Sequence, residues 1–226
     1  MISQIRDPLS KVVRPIVIFF AKLGIHPTAF TVMGLLLAIS AGIFLGIDNF
    51  LVGFILIWVA GAMDFLDGGV ARYRGMDSEK GSFLDSIFDR LSDLAVFIGI
   101  IWSDPVDGVT GMIMVGSAIM ISYIRAKGES VGVKKMAIGL MERAERWLGL
   151  MVLLFVSLLV PNQAFVTPIY TISGIEGFEG ISYFSIGYMI LTGLCVITVI
   201  QRFIHVTIQL TQAEAVQEGQ KGMIEK

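Results

Sequence analysis

The chain has 226 residues, of which 55% are hydrophobic and 16% are charged, and its mean hydropathy is +0.79. A soluble domain carries roughly a quarter charged residues, so this composition indicates an integral membrane protein. The net charge of −2 gives no reason to expect a nucleic-acid partner, and a single cysteine excludes a disulfide within the chain.

The first predicted element is a helix over residues 1–24. This segment mixes apolar residues with four basic ones, a pattern typical of a helix that lies in the membrane interface. A solvated arm is the alternative.

Residues 28–206 contain six segments that we predict to be transmembrane helices, because a spanning helix needs about 20 mostly apolar residues. The second continues from its apolar half through Asp64 and Asp67, and the third begins with Asp85 and Asp89. We therefore predict an all-α, single-domain membrane protein over 1–226, with a polar tail over 207–226 that is frayed after Gln212. The six segments are Thr28–Ile47, Phe50 through Asp67, Ser82–Trp102, Val109–Tyr123, Trp147–Leu159 and Tyr183–Ile200.

The basic residues predict the orientation of these helices. With six spans, all 17 Lys and Arg fall on one side, at helix ends or in the nearest loops. Because basic residues accumulate on the cytoplasmic side, we expect a multi-pass protein of the cell membrane with both termini in the cytoplasm.

Four aspartates in or beside spans predict a metal site. Each charged residue near the centre of a membrane helix costs about 2.5–3.5 kcal/mol, less near the interface, so the cluster needs partners. Asp64 and Asp67 are three residues apart and Asp85 and Asp89 four apart, so each pair shares one helix face. A loop of about ten residues makes the two helices antiparallel neighbours, and four carboxylates suit one or two Mg²⁺ or Mn²⁺ ions. A structural salt-bridge network with nearby arginines is the alternative.

Glycines near the aspartates predict close approaches. Gly68 and Gly69 follow Asp67 directly, where they leave space for a nucleotide or another backbone. Gly42 and Gly46 form a pair of small residues four apart that allows two helices to pack closely.

The segment from Asp64 to Asp89 reads D-F-L-D-G-G-V-A-R, eight residues, then G-S-F-L-D-S-I-F-D. It resembles the signature of the CDP-alcohol phosphotransferase family, D-x2-D-G-x2-A-R-x8-G-x3-D-x3-D, at all eight fixed positions. The resemblance implies a transferase that moves a phosphoalcohol group from a CDP-linked lipid to an acceptor hydroxyl and releases CMP. It also implies an active site on the cytoplasmic side and a homodimer.

The resemblance also implies roles for individual residues. Asp64, Asp67, Asp85 and Asp89 would hold two divalent ions, and Asp89 would also act as general base on the acceptor hydroxyl. The cytidine diphosphate would be contacted by Gly68 and Arg72, with Ser78 a further candidate. Relatives have a Pro-Asn-like stretch that touches the nucleotide before the first span, and Pro27 and Thr28 stand at that place here.

A basic region between the fourth and fifth spans points to the acceptor. The S-Y-I-R-A-K segment and the later G-x2-E-R-A-E-R run are similar to the branch that makes phosphatidylinositol phosphate or archaetidylinositol phosphate from inositol 1-phosphate. Basic side chains suit a phosphorylated acceptor, although the positive-inside rule alone accounts for some of them. The candidate acceptor-binding residues are Arg125, Lys135, Arg143 and Arg146.

Other readings remain open from the sequence. Glycerol 3-phosphate fits the same charge, which would make the chain similar to phosphatidylglycerophosphate synthase, and other acceptors occur in the family. A membrane transporter would also contain intramembrane carboxylates, but it usually shows internal repeats. A prenyl transferase presents its aspartates in two well-separated motifs, commonly on a longer chain.

Overall fold

The computed structural model describes residues 6–103, 105–133, 136, 138–160 and 182–224, and these residues form α-helices and connecting turns without a β-strand. The prediction of an all-α protein is confirmed. The helices are α1 (Arg6–Lys22), α2 (Pro27–Gly46), α3 (Phe50–Arg74), α4 (Glu79–Trp102), α5 (Gly108–Ser130), α6 (Arg143–Leu159) and α7 (Tyr183–Ile224).

Four of the helices, α2, α3, α5 and α7, are long and apolar enough to cross a membrane. The other two predicted spans, α4 and α6, do not have both the length and the apolar character of a spanning helix. Helix α4 carries four charged residues from Asp85 to Asp93, and α6 has only 17 residues. The membrane character of the chain is therefore supported, and the count of six spans stays a prediction.

Helices α2 and α4 pack with their backbones in contact, as the small residues predict. A Cβ on Gly42 would lie 2.2 Å from the carbonyl oxygen of Ala95. A Cβ on Gly99 would lie 2.1 Å from the carbonyl oxygen of Gly42. Gly46 also faces Gly99. Only residues without a side chain allow this approach, which fixes α4 against α2.

A turn of four residues, 75–78, joins α3 to α4, shorter than the predicted loop of about ten residues. Helix α3 continues to Arg74 and ends at Gly75, whose φ of 61° lies in the left-handed region that glycine adopts without strain. Ser78 is the N-cap of α4, and its hydroxyl accepts a hydrogen bond from the amide of Gly81 at 3.1 Å. The tight turn joins the two aspartate-bearing helices, and both pack against α2.

Helix α7 corrects the prediction of a frayed tail, because it continues from Tyr183 to Ile224. The segment after Gln212 is polar, but it contains no proline and is rich in alanine, glutamine and glutamate, which favour a helix. A helix of 42 residues is about 63 Å long at 1.5 Å per residue, twice the thickness of a bilayer core, so its end lies beyond any span.

Helix α1 packs against α3 beside the aspartates. Val17 and Ala21 are buried in a small cluster with Leu66 and Val70 of α3. A Cβ on Gly69 would lie 2.8 Å from the side chain of Val17, so this glycine makes room for α1.

Candidate metal centre

Three predicted metal ligands converge between α3 and α4. Oxygens of Asp64, Asp67 and Asp85 all lie within 4.8 Å of one another. Asp67 is 7% exposed, and its Oδ1 accepts a hydrogen bond from the amide of Gly68 at 2.5 Å. Its other oxygen, Oδ2, is buried, and besides the nearby hydroxyl of Thr31 no donor among the described residues approaches the side of the carboxylate that it occupies. A buried carboxylate oxygen of this kind, next to two more carboxylates, fits a divalent cation.

Two of these carboxylates, those of Asp64 and Asp67, open into a cavity of about 550 Å³ between α2, α3, α4 and α6. Asp64, Asp67 and Asp89 contribute to its polar end, with Arg143. Its remaining lining is mainly apolar and includes Leu35, Ile57, Trp58, Phe65, Phe88 and Met151. One space therefore combines an anionic end with walls suited to a hydrocarbon chain.

Arg143, the first residue of α6, bridges the two aspartate-bearing helices. Its Nη1 lies 2.7 Å from Oδ1 of Asp89 and 3.2 Å from Oδ1 of Asp64. Its guanidinium also stacks over the ring of Trp147, with 5.4 Å from Cζ to the ring centroid. Arg143 therefore belongs to the acidic cluster in this structure and neutralises part of its charge.

Asp93 lies one turn beyond Asp89 on α4 and anchors α6. Its Oδ2 accepts a hydrogen bond from Nη2 of Arg146 at 2.6 Å, and its Oδ1 accepts one from Nε1 of Trp147 at 2.6 Å. Arg146 is 2% exposed, so the pair is buried. The sequence places Asp93 on the face of Asp89, but it gives no signal for these partners, which lie more than 50 residues away.

The structure brings some of the predicted nucleotide-binding residues together. The guanidinium of Arg72 folds over Gly68, where a Cβ would lie 3.2 Å from Nη1. Pro27 begins α2, and Thr28 lines a separate groove of about 360 Å³ with the exposed Met33. Ser78 is exposed, and its hydroxyl serves as the α4 cap. The roles of all five in nucleotide binding stay predictions.

The predicted acceptor-binding residues do not form one group. Arg143 reaches the cavity, Arg146 is buried against Asp93, and Arg125 is exposed and paired with Glu129 at 3.1 Å. Lys135 lies outside the described residues. Their roles in acceptor binding also stay predictions.

Arg202 of α7 was not singled out by the sequence, where it appears as one basic residue in a mainly apolar stretch. It is 2% exposed and donates hydrogen bonds to the carbonyl oxygens of Ile121 and Ile138 and to Oε1 of Glu142. These bonds join α5, α7 and the segment that leads into α6, so Arg202 supports the position from which Arg143 enters the cavity.

Comparisons with known proteins agree with this geometry. The chain is 36% identical over 146 residues to archaetidylinositol phosphate synthase of Methanothermobacter thermautotrophicus, covering 65% of this chain and 73% of the relative. It is 37% identical over 147 residues to the archaetidylinositol phosphate synthase of Pyrococcus horikoshii, covering 65% and 78%. Phosphatidylinositol phosphate synthase of Streptomyces avermitilis is 33% identical over 144 residues, covering 61% and 59%.

Solved structures with the same fold include two of phosphatidylinositol phosphate synthase from Mycobacterium tuberculosis. One has CDP-DAG bound and superposes with a TM-score of 0.69 at 26% identity, covering 87% of this chain and 94% of that one. The other, in complex with manganese and citrate, has a TM-score of 0.68 at 27% identity, covering 85% and 87%. Residues 24–200 match the CDP-alcohol phosphatidyltransferase family, so the chain belongs to that family and is a transferase enzyme.

Proposed function

We propose that this enzyme transfers the phosphoalcohol group of a CDP-linked lipid to a hydroxyl of inositol 1-phosphate and releases CMP. The product is phosphatidylinositol phosphate or archaetidylinositol phosphate, according to the lipid. The observation that carries the proposal is the convergence of Asp64, Asp67 and Asp85, of which Asp64 and Asp67 line one end of a largely apolar cavity. The names of the relatives and the CDP-DAG complex of the mycobacterial enzyme support the substrate assignment.

The proposed cofactor is Mg²⁺ or Mn²⁺, with two ions held by Asp64, Asp67, Asp85 and Asp89. The manganese complex of the mycobacterial enzyme supports a divalent metal. When bound, such ions neutralise charge on diphosphate oxygens and on a leaving nucleotide. The buried Oδ2 of Asp67, which satisfies no hydrogen bond of normal geometry among the described residues, is an oxygen available to them.

The residues around the cluster orient the CDP-lipid. The exposed guanidinium of Arg72, close over Gly68, is placed to pair with the diphosphate, and Pro27, Thr28 and Ser78 stay candidates for the cytidine side. The apolar walls of the cavity contact the part of the lipid next to its glycerol unit. This arrangement fixes the phosphorus next to the carboxylates, and positioning provides much of the rate in phosphoryl transfer.

Asp89 is the proposed general base. The acceptor oxygen attacks the phosphorus that carries the lipid alcohol, and its proton goes to the carboxylate of Asp89. The P–O bond to the nucleotide phosphate breaks, and CMP leaves with the bonding electron pair. Arg143, 2.7 Å from Asp89, is the basic residue best placed to attract the phosphate of the acceptor to this carboxylate.

The membrane arrangement that we propose has six spans, α2 to α7, with α1 in the interface and the whole chain forming one domain. Helix α4 is included because it packs backbone to backbone along α2, which is itself long and apolar enough to span. The distribution of Lys and Arg supports a cell-membrane protein with both termini and the active site in the cytoplasm. A homodimer is proposed from the resemblance to relatives.

An acceptor panel tests the proposed reaction. Purified protein with Mg²⁺ is given CDP-diacylglycerol or CDP-archaeol and, in turn, inositol 1-phosphate, glycerol 3-phosphate, serine or inositol, and CMP release is followed. We expect release with inositol 1-phosphate. Release with glycerol 3-phosphate alone would instead indicate a phosphatidylglycerophosphate synthase-like enzyme, and no release with any acceptor would refute the reaction.

Matched variants distinguish a failed reaction from a failed preparation. Asp85→Asn should abolish CMP release because it removes a cluster carboxylate. Asp107→Asn should leave CMP release unchanged, since Asp107 is the N-cap of α5, where an asparagine also caps, and lies outside the cavity lining.

A further inference from the structure

Asp93 is an acidic residue of α4 that lies beyond the end of the family motif. It is 6% exposed, and its carboxylate accepts three hydrogen bonds from α6. Trp147 and Arg146 donate at 2.6 Å each, and Nε of Arg143 donates at 3.4 Å. Two of these donors hold Asp93 firmly, and the third contact is longer than an optimal hydrogen bond.

Arg143 is shared between Asp93 and the acidic cluster. Its Nε faces Asp93, while its Nη1 contacts Asp89 at 2.7 Å and Asp64 at 3.2 Å. A divalent cation held by Asp64 and Asp89 competes with Nη1 for these carboxylates, and its positive charge repels the guanidinium. Cation binding therefore displaces Nη1 of Arg143 from these two carboxylates.

A guanidinium displaced in this way needs another carboxylate. The Arg143 side chain is 31% exposed, so leaving it unpaired between helices is costly. Asp93 meets the need because it already faces Nε, and the 3.4 Å contact can shorten once Nη1 leaves the cluster. The buried bonds from Arg146 and Trp147 keep the Asp93 carboxylate in place during this change.

We propose that Asp93 is a positioning residue that holds Arg143 beside the acidic cluster and retains it when cations bind at Asp64 and Asp89. Without this carboxylate, Arg143 stays on the cluster and competes with the cations. The inference rests on the metal site of the proposed function and deepens it. It assigns a role in cation binding to a residue that need not be a metal ligand itself.

A purely structural role predicts a different outcome. If Asp93 served only to tie α4 to α6, its loss would distort the cluster whether or not Arg143 was present. If Asp93 acts through Arg143, its loss matters only while Arg143 is there to compete. A double-mutant comparison separates the two cases.

The experiment measures Mn²⁺ binding to the purified full-length protein in detergent, with free Mn²⁺ followed by electron paramagnetic resonance. We expect Asp93→Asn to weaken Mn²⁺ binding about tenfold, within the usual range of coupling between two sites. In an Arg143→Gln background, the same Asp93→Asn change should have little effect. An equal loss in both backgrounds, or no loss in either, overturns the proposal.

Further variants keep the result interpretable. Asp107→Asn is the matched control, because Asp107 caps α5 outside the cavity lining, so Mn²⁺ binding should match the wild type. If Asp93→Asn alone does not fold, because Arg146 is left unpaired, the comparison is made with Asp93→Asn plus Arg146→Met, with and without Arg143→Gln. Absence of Mn²⁺ binding by the wild type would refute the metal site, whereas wild-type binding that Asp93→Asn leaves unchanged refutes only the role of Asp93.

Discussion

Replacement of Gly99 by alanine should destabilise the protein, because α4 has no room for a side chain against α2. The added Cβ would lie 2.1 Å from the carbonyl oxygen of Gly42, about 1 Å short of the closest approach that a Cβ tolerates. Overpacking of a well-packed interior costs typically 1–3 kcal/mol. We expect about 3 kcal/mol here, at the upper end, because the obstacle is backbone and cannot change rotamer.

The assay is thermal unfolding of the two proteins in one detergent. A loss of about 3 kcal/mol corresponds to a decrease in Tm of roughly 6–12 °C for a chain of this size. Gly116→Ala is the matched control, since a Cβ at Gly116 has open space and alanine favours a helix by about 1 kcal/mol. If Gly99→Ala unfolded at the same temperature as Gly116→Ala, the close packing of α2 on α4 would be wrong.

Three further changes test other parts of the structure. Asp89→Asn should lower kcat about 10²–10⁴-fold and leave CDP-lipid binding in place, and near-normal CMP release would contradict its role as base. Arg202→Met should lower the free energy of unfolding by about 3 kcal/mol, because it leaves two buried carbonyl oxygens and the carboxylate of Glu142 without their donor. An unchanged Tm would refute this. Hydrogen bonds from Thr110 hold the pKa of Asp107 below its ordinary value, so its stabilising cap is present at neutral pH and is lost as the pH falls through that lowered pKa. Asp107→Ala should therefore cost about 0.5–1 kcal/mol at pH 7, and the difference in Tm from the wild type should shrink in acid.

Spacing along one helix predicted much of this site. Asp64 and Asp67 share a face of α3 because residues three apart do so in any helix, and the structure brings both together with Asp85. The small residues Gly42 and Gly46 likewise predicted a close helix pair, although not that α4 would be the partner. Patterns within a helix are local, and local geometry is what a sequence determines most directly.

Contacts between distant helices could not be predicted in the same way. Arg143 is 79 residues from Asp64, and its place on the cluster depends on how α6 packs against α3 and α4. The sequence indicated basic residues near the site, but it treated Arg143 and Arg146 alike. The structure separates them, because one faces the cavity and the other is buried against Asp93.

The charge of the site supports two cations together with substrate. With every group ionised, five carboxylates and two guanidinium groups give a net charge of −5 + 2 = −3 (Asp64, Asp67, Asp85, Asp89 and Asp93, with Arg143 and Arg146). Arg90 approaches Asp89 only to 4.0 Å and its side chain is 40% exposed, so water screens its contribution.

Two divalent cations alone would change this charge from −3 to +1, and the two negative charges of a bound diphosphate would bring it to −1. One cation with the same diphosphate would leave −3 in a partly apolar cavity, which is the costlier arrangement. With the diphosphate bound, the acidic cluster and the two arginines are thus closer to balance with two ions than with one. It follows that CDP should strengthen Mn²⁺ binding by the wild-type protein, and Mn²⁺ affinity that is unchanged by CDP would contradict this account of the site.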